Sequence, residues 1–257
     1  MIEPYRSEVD PPILPLRVHS TGNGVRRVQE WLGLHGLGVV IDGDFGPATE
    51  RAVVSFQRSA ALDVAPGLVD RRTWDALTAP LRVASSVVPA AMFGDAAIAI
   101  ARSHLRYQAR EVGGDNCGPW VRHYCRGQSV AWCQGFASTI WADAGRMVGR
   151  EPPLGLVLDG IWCLFVPRMV NEARARGAFI SGREFPPDRG AARILPGSMF
   201  FLRGGPYGYT HVGLVEAMHA DGTMTTIEGN TNDDGSANGY EVARRVRRIA
   251  SSDFGTV

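Results

Sequence analysis

Ala131-Trp132-Cys133-Gln134-Gly135-Phe136, continuing into Ala137-Ser138-Thr139-Ile140-Trp141-Ala142-Asp143-Ala144, is the stretch on which the fold turns. Phe136, Ile140 and Ala144 recur every four residues, which lines apolar side chains along one face of a helix. Gly145 is the expected stop. Cys133 then stands at or near the helix N-terminus, where free backbone N–H groups and the positive end of the dipole favour a thiolate. The thiolate is the nucleophilic form of cysteine, so the position suits covalent catalysis. A buried structural cysteine satisfies the same stretch equally well, and the choice falls to the rest of the chain.

Bulk properties narrow the field. At 257 residues the chain has room for one large domain or two modest ones. Hydrophobic content of 45% and charged content of 21% are those of an ordinary globular protein. A net charge of +1 offers no electrostatic case for nucleic acid or an anionic membrane surface as main partner. Four cysteines (Cys117, Cys125, Cys133, Cys163) are too few for a disulfide scaffold. The absence of a Cys-x-x-Cys pair argues against structural zinc, while pairing of Cys117 with Cys125 stays open. Met1 to Arg6 shows no basic region followed by an apolar run, so no secretory signal is expected and synthesis is expected in a cytoplasm. No apolar stretch is long enough to span a bilayer, so membrane insertion is not expected.

Residues 1–13 carry Pro4, Pro11 and Pro12 among mixed charges and read as an extended, mobile leader. Three short helices are expected next. The first follows Gly24 and carries Val25, Val28, Trp31 and Leu32. The second starts at Pro47, after the turn Asp42-Gly43-Asp44-Phe45-Gly46, with Ala48, Ala52 and Phe56 facing inward. The third is capped by Asp70 and carries Trp74 and Leu77. The segments Gly24 to Leu32, Ile41 to Thr49, Val53 to Gln57 and Val69 to Leu77 resemble the peptidoglycan-binding domain type 1 family, over roughly residues 16–79. That resemblance implies a three-helix module, placed at 14–79, that targets peptidoglycan without catalysis. The turn at Asp42 to Gly46 and nearby arginines are the candidate ligand contacts. Residues 80–94 lack periodicity and read as a linker.

From Asp95, read as a cap, helical patterns continue: Ile98, Ala101 and Leu105 on one face, a short helix opened by Pro119, the Cys133 helix, and Pro167 to Arg176 ended by Gly177. The period then shortens to that of strands, at 198–202, 211–216, 224–228 and 240–249. Turn residues separate them at Gly204-Gly205-Pro206, Asp221-Gly222 and Asn232 to Gly235. Helices followed by an antiparallel meander make an α+β domain, placed at 95–250.

A thiol hydrolase needs a nucleophile, a base, a group that orients the base, and donors for the oxyanion. Cys133 offers the first. His211 opens a strand after a Gly-rich loop, and imidazole is the usual partner of a thiolate near neutral pH. Glu228 and Asn230 end the next strand, seventeen and nineteen residues on, and a hairpin would return them to the imidazole. Residues 131–136, Leu195 to Phe201, His211 to Val215 and Glu228-Gly229-Asn230 resemble the CHAP family, the cysteine, histidine-dependent amidohydrolases/peptidases, over about residues 95–250. The resemblance implies a papain-like fold, Cys133 as nucleophile, His211 as base, Glu228 and Asn230 as orienting groups, and the peptide part of peptidoglycan as substrate. Ser198 departs from it, since relatives often carry an acidic residue after Pro-Gly. No run of aspartates matching a calcium loop lies near Cys133, so neither metal nor other cofactor is expected. Gln128 is a candidate oxyanion donor; Trp132, Tyr207 and Tyr209 are candidate groove walls; Glu111 and Asn116 are further cleft candidates.

The expectation from both resemblances is a monomeric peptidoglycan hydrolase of endolysin or autolysin type. It would act at the bacterial wall as an N-acetylmuramoyl-L-alanine amidase or endopeptidase. One rival is a non-catalytic wall-binding or virion structural protein on a CHAP scaffold. Another is an intracellular amidase or thiol acyl transferase acting on small amides.

Overall fold

The structure, a computed structural model, describes residues 2–86, 90–184, 194–232 and 239–257. Residues 87–89 of the expected linker and 233–235 of the expected turn lie outside the described residues.

The N-terminal module is built as its pattern implies. Helix α1 (Asn23–Leu34) buries Val25, Val28, Trp31 and Leu32. Helix α2 (Pro47–Ser59) starts on its proline and buries Thr49, Val53 and Phe56. Phe56 faces inward as expected, while Thr49 and Val53 are buried beside an exposed Ala48 and a half-buried Ala52. Val53 removes more apolar surface from water than Ala52, and that difference sets the rotation of the helix. Helix α3 (Arg71–Leu77) is capped as expected, with the Thr73 N–H donating to Asp70 Oδ1 at 2.8 Å. Two buried glutamines hold the connecting turns. Gln29 accepts from the Gly43 N–H and donates to Asp42 and to the Asp44 carbonyl. Gln57 accepts from the Gly67 N–H and donates to the Leu68 carbonyl. Helix α4 (Ala79–Ala84), which buries Leu81 and Ala84, occupies the start of the segment read as linker. Six residues are too few to show a helical period, and Pro80 fits the first turn without loss of a bond.

The remaining helices are α5 (Phe93–Arg106), α6 (Pro119–Tyr124), α7 (Cys133–Val148) and α8 (Val166–Ala175). Asp95 does not cap α5; Met92 occupies the N-cap, and Asp95 sits in the first turn, where its charge complements the dipole. Helix α7 runs past Gly145 to a left-handed Gly149 at φ 70. A Cβ on Gly145 would lie 2.7 Å from the Arg150 carbonyl oxygen, so this glycine serves a close approach instead of a stop.

A two-residue hairpin, β1 (Val157–Leu158) and β2 (Ile161–Trp162), precedes the main sheet. The sheet comprises β3 (Phe179–Ser181), β4 (Met199–Arg203), β5 (Tyr209–Met218), β6 (Thr223–Thr231), β7 (Glu241–Arg248) and β8 (Ser252–Gly255). Its order is β3-β8-β4-β5-β6-β7, and every pairing is antiparallel. Strand β8 lies beyond the expected end at residue 250 and inserts between β3 and β4. Helix α7 packs across β5 and β6, with α5 behind it. This is the α+β, papain-like arrangement expected from the sequence, with helices on one side of an antiparallel meander.

The leader is not a loose tail. Arg122, on α6, forms paired hydrogen bonds with Glu8 (2.9 Å each) and further bonds with Glu30 of α1 (3.0 and 2.6 Å). The Trp74 indole and Arg82 donate to the Val9 carbonyl, Arg126 to that of Glu3, and Arg146 to that of Ile2. Trp31 of the module meets Trp120 of α6 edge-on at 6.4 Å, so one apolar core runs through both halves. Arg122→Ala leaves two largely buried carboxylates without their cation and is expected to cost about 3 kcal/mol or more of stability. Urea unfolding followed by circular dichroism measures it; a wild-type midpoint would show the triad to be idle.

Candidate active site

Cys133 is the first residue of α7, after an N-cap at Trp132, as the sequence implied. It opens a 16-residue helix whose leading N–H groups have no intrahelical acceptor. The residue is buried, with 8% of its surface exposed. Asn230, at the end of β6, accepts a hydrogen bond from the Trp132 N–H at 3.0 Å and donates to the Gly239 carbonyl. Gly229 permits that approach: a Cβ there would lie 2.6 Å from the Phe136 Cβ. The α7 N-terminus is thus pinned to β6 by the Asn230 side chain and by the close approach at Gly229.

His211, on β5, pairs with Leu202 of β4 and is largely buried. Its Nε2 lies 2.8 Å from Glu228 Oε2. The Cys133 side chain lies near enough to the imidazole to act on its charge. Burial alone would push the ring's pKa down. The Cys133 sulfur and the Glu228 carboxylate outweigh it and raise the value from 6.5 to about 9. Glu228 has no exposed surface. Burial favours its neutral form, but Arg247 and His211 reverse the balance and hold the carboxyl down at about 2. Arg247 reaches it with two bonds, Nε to Oε1 at 2.8 Å and Nη2 to Oε2 at 2.6 Å. The Thr226 hydroxyl donates to Oε1 at 2.6 Å. Gly213 makes room for this arrangement, since a Cβ there would sit 2.8 Å from Glu228 Cγ and 2.8 Å from Phe200 Cε1.

His211 and Glu228 are joined by a hydrogen bond with Cys133 near the ring, while Asn230 bonds the loop that ends at Cys133 instead of the imidazole. The other candidates separate. Trp132 is fully buried, stacked on Tyr124 at 5.3 Å, with its indole N–H given to Glu111 at 2.8 Å; it cannot wall a groove. Tyr209 is half-buried and donates its hydroxyl to Asp253 at 2.6 Å, a brace between β5 and β8. Tyr207 is 71% exposed and meets Phe165 edge-on. Gln128 is exposed on the loop before Cys133. Glu111 organises the loop beside the thiol, accepting from Trp132 and from the Asn116 N–H. Sequence reasoning missed Arg247, although Arg244, Arg245, Arg247 and Arg248 on one strand were a visible sign of carboxylates to be paired. All four cysteines are free thiols, so Cys117 and Cys125 are not joined. Among the described residues no group of three or more His, Cys, Asp or Glu is placed to hold a metal ion.

A helix-borne thiol facing a strand-borne imidazole, itself backed by a buried carboxylate, is the constellation of papain-like thiol hydrolases. Comparison with protein families gives the particular assignment. Residues 109–230 match the CHAP domain, and residues 21–77 match a domain described as a putative peptidoglycan binding domain. The chain thus joins a peptidoglycan-binding module to a CHAP domain, in the order its motifs implied. No curated protein matches the chain. The two domains support a role as a cell-wall hydrolase with peptidoglycan as partner. Among the described residues no helix is long and apolar enough to cross a membrane.

The ring's raised value has a signed consequence. His211 is protonated through neutral pH and loses its proton as pH rises through about 9. Glu228→Gln removes the anion that helps hold that proton, so the titration midpoint of the ring, followed by NMR, is expected to fall. A midpoint unchanged by the substitution would show that the carboxylate does not govern the base. Gly213→Ala is expected to lower the midpoint as well, because the added methyl displaces Glu228 from the ring.

Proposed function

We propose that this protein hydrolyses an amide bond in the peptide part of peptidoglycan by covalent catalysis at Cys133. The observation that carries this reading is Cys133 at the head of α7, near an imidazole on β5 that is itself hydrogen-bonded to the buried Glu228. The Cys133 sulfur attacks the amide carbonyl carbon as a thiolate with the His211 imidazolium as its counter-ion. The electron pair of the carbonyl moves to oxygen, for which the backbone N–H of Cys133, at the start of α7, is the candidate donor. His211 gives its proton to the departing amine nitrogen, the C–N bond breaks, and a thioester remains. Water then adds to the thioester with the ring, now neutral, taking its proton; the acid is released and the thiolate returns. Glu228 holds the ring's orientation throughout, and Asn230 fixes the loop that carries the sulfur. Gln128, exposed on the same loop, is the candidate second oxyanion donor, and Tyr207 is the remaining candidate for substrate contact.

The N-terminal module supplies retention on the wall, consistent with an enzyme of the endolysin or autolysin kind. Its turn at Asp42 to Gly46 and the adjacent Arg26 form the candidate ligand surface. Amidase and endopeptidase activity differ in the new ends they create, and mass spectrometry of digested wall separates them. Purified sacculi are expected to clear with wild-type protein and to persist with Cys133→Ala, which keeps its binding. Equal clearing by both proteins, or binding without release of new amines, would remove the hydrolase reading and leave a wall-adhering protein.

A further inference from the structure

Glu228 poses an electrostatic difficulty that the reaction itself creates. It is wholly buried, and a buried carboxylate without a cation takes up a proton instead of remaining charged. His211 can serve as that cation only while it is protonated. In the proposed cycle the ring gives its proton to the leaving amine, so for part of every turnover the imidazole is neutral. At that moment a carboxylate dependent on His211 alone would lose its charge or move, and the ring would lose its orientation.

Arg247 removes the difficulty. Its guanidinium stays charged under all working conditions and is held more firmly so by Glu228. The register of the sheet shows how the contact is made. Glu228 stands opposite Ala243 of β7, while Arg247 stands opposite Met224. The small side chain of Ala243 leaves space on that face, and Arg247 runs back along the sheet to reach both carboxylate oxygens. Oε2 is shared between Arg247 and His211, and Oε1 between Arg247 and Thr226. Only a long, forked, permanently charged side chain meets these demands.

We propose that Arg247 is a positioning residue for the catalytic base: the standing counter-ion of Glu228, which keeps that carboxylate ionised and in place while the His211 proton comes and goes. The role rests on the hydrolase reading, but its first test does not. In Arg247→Met the pair Glu228–His211 must share its remaining proton without outside help, so the ring is expected to keep it to higher pH. The NMR midpoint of His211 is expected to rise by about one unit, roughly a tenfold change in proton affinity. In a Glu228→Gln background the same substitution is expected to leave the midpoint where Glu228→Gln alone puts it, because Arg247 acts through the carboxylate. That double variant buries no unpaired charge and serves if Arg247→Met does not fold. On wall substrate kcat is expected to fall by about tenfold or more with little change in KM. Arg247→Lys keeps the charge but loses the fork, so it should restore the midpoint and only part of kcat.

An unmoved midpoint in folded Arg247→Met, or equal shifts with and without the Glu228 carboxylate, would overturn the proposal. If wild-type protein released nothing from the wall while the midpoints behaved as described, the reading of the reaction would fail and the assignment of Arg247 would stand.

Discussion

A carboxylate with no exposed surface is the most demanding group in this molecule. Taking it out of water costs several kcal/mol, which only opposite charge and well-directed hydrogen bonds offset. Glu228 obtains these from three strands: His211 on β5, Thr226 beside it on β6 and Arg247 on β7. The strand order β5-β6-β7 is what brings them together. The same bonds that make the carboxylate tolerable in the interior fix the imidazole, and through it the surroundings of the thiol. Stability of the sheet and readiness of the site are here one arrangement.

Cys133 depends on the sheet in a second way. A helix start is a natural place for an anion, but its direction is set only by what it packs against. Here β6 approaches α7 closely at Gly229 and holds the Trp132 N–H through Asn230. On the other side, buried Trp132 lies against Tyr124 and is bonded to Glu111. The aromatic residue before the cysteine is therefore part of the support that aims the sulfur.

The two domains are joined by more than the segment between them. The leader crosses the junction and is bonded to both halves, and Arg122 gathers Glu8 and Glu30 onto α6. Helix α6 leads directly into the loop that carries Cys133. The peptidoglycan-binding module and the CHAP domain thus share one apolar core.

Local signals in the chain determined the helix starts at Pro47, Asp70, Pro119 and Cys133, the four consecutive strands of the meander, and the thiol, imidazole and carboxylate of the candidate site. These were legible because proline placement, apolar period and residue chemistry are properties of neighbouring positions. Strand β8, helix α4 and the fastened leader were not, since a four-residue strand or a proline-rich tail takes its structure from distant partners. The hydrogen bonds of Trp132, Tyr209 and Asn230 were not legible either, because exposure and hydrogen-bond partners are set only when the chain closes. Arg247 is the clearest case: only pairing of β6 with β7 shows that one arginine among several meets a buried anion, as charge compensation is decided by burial and burial belongs to the tertiary structure.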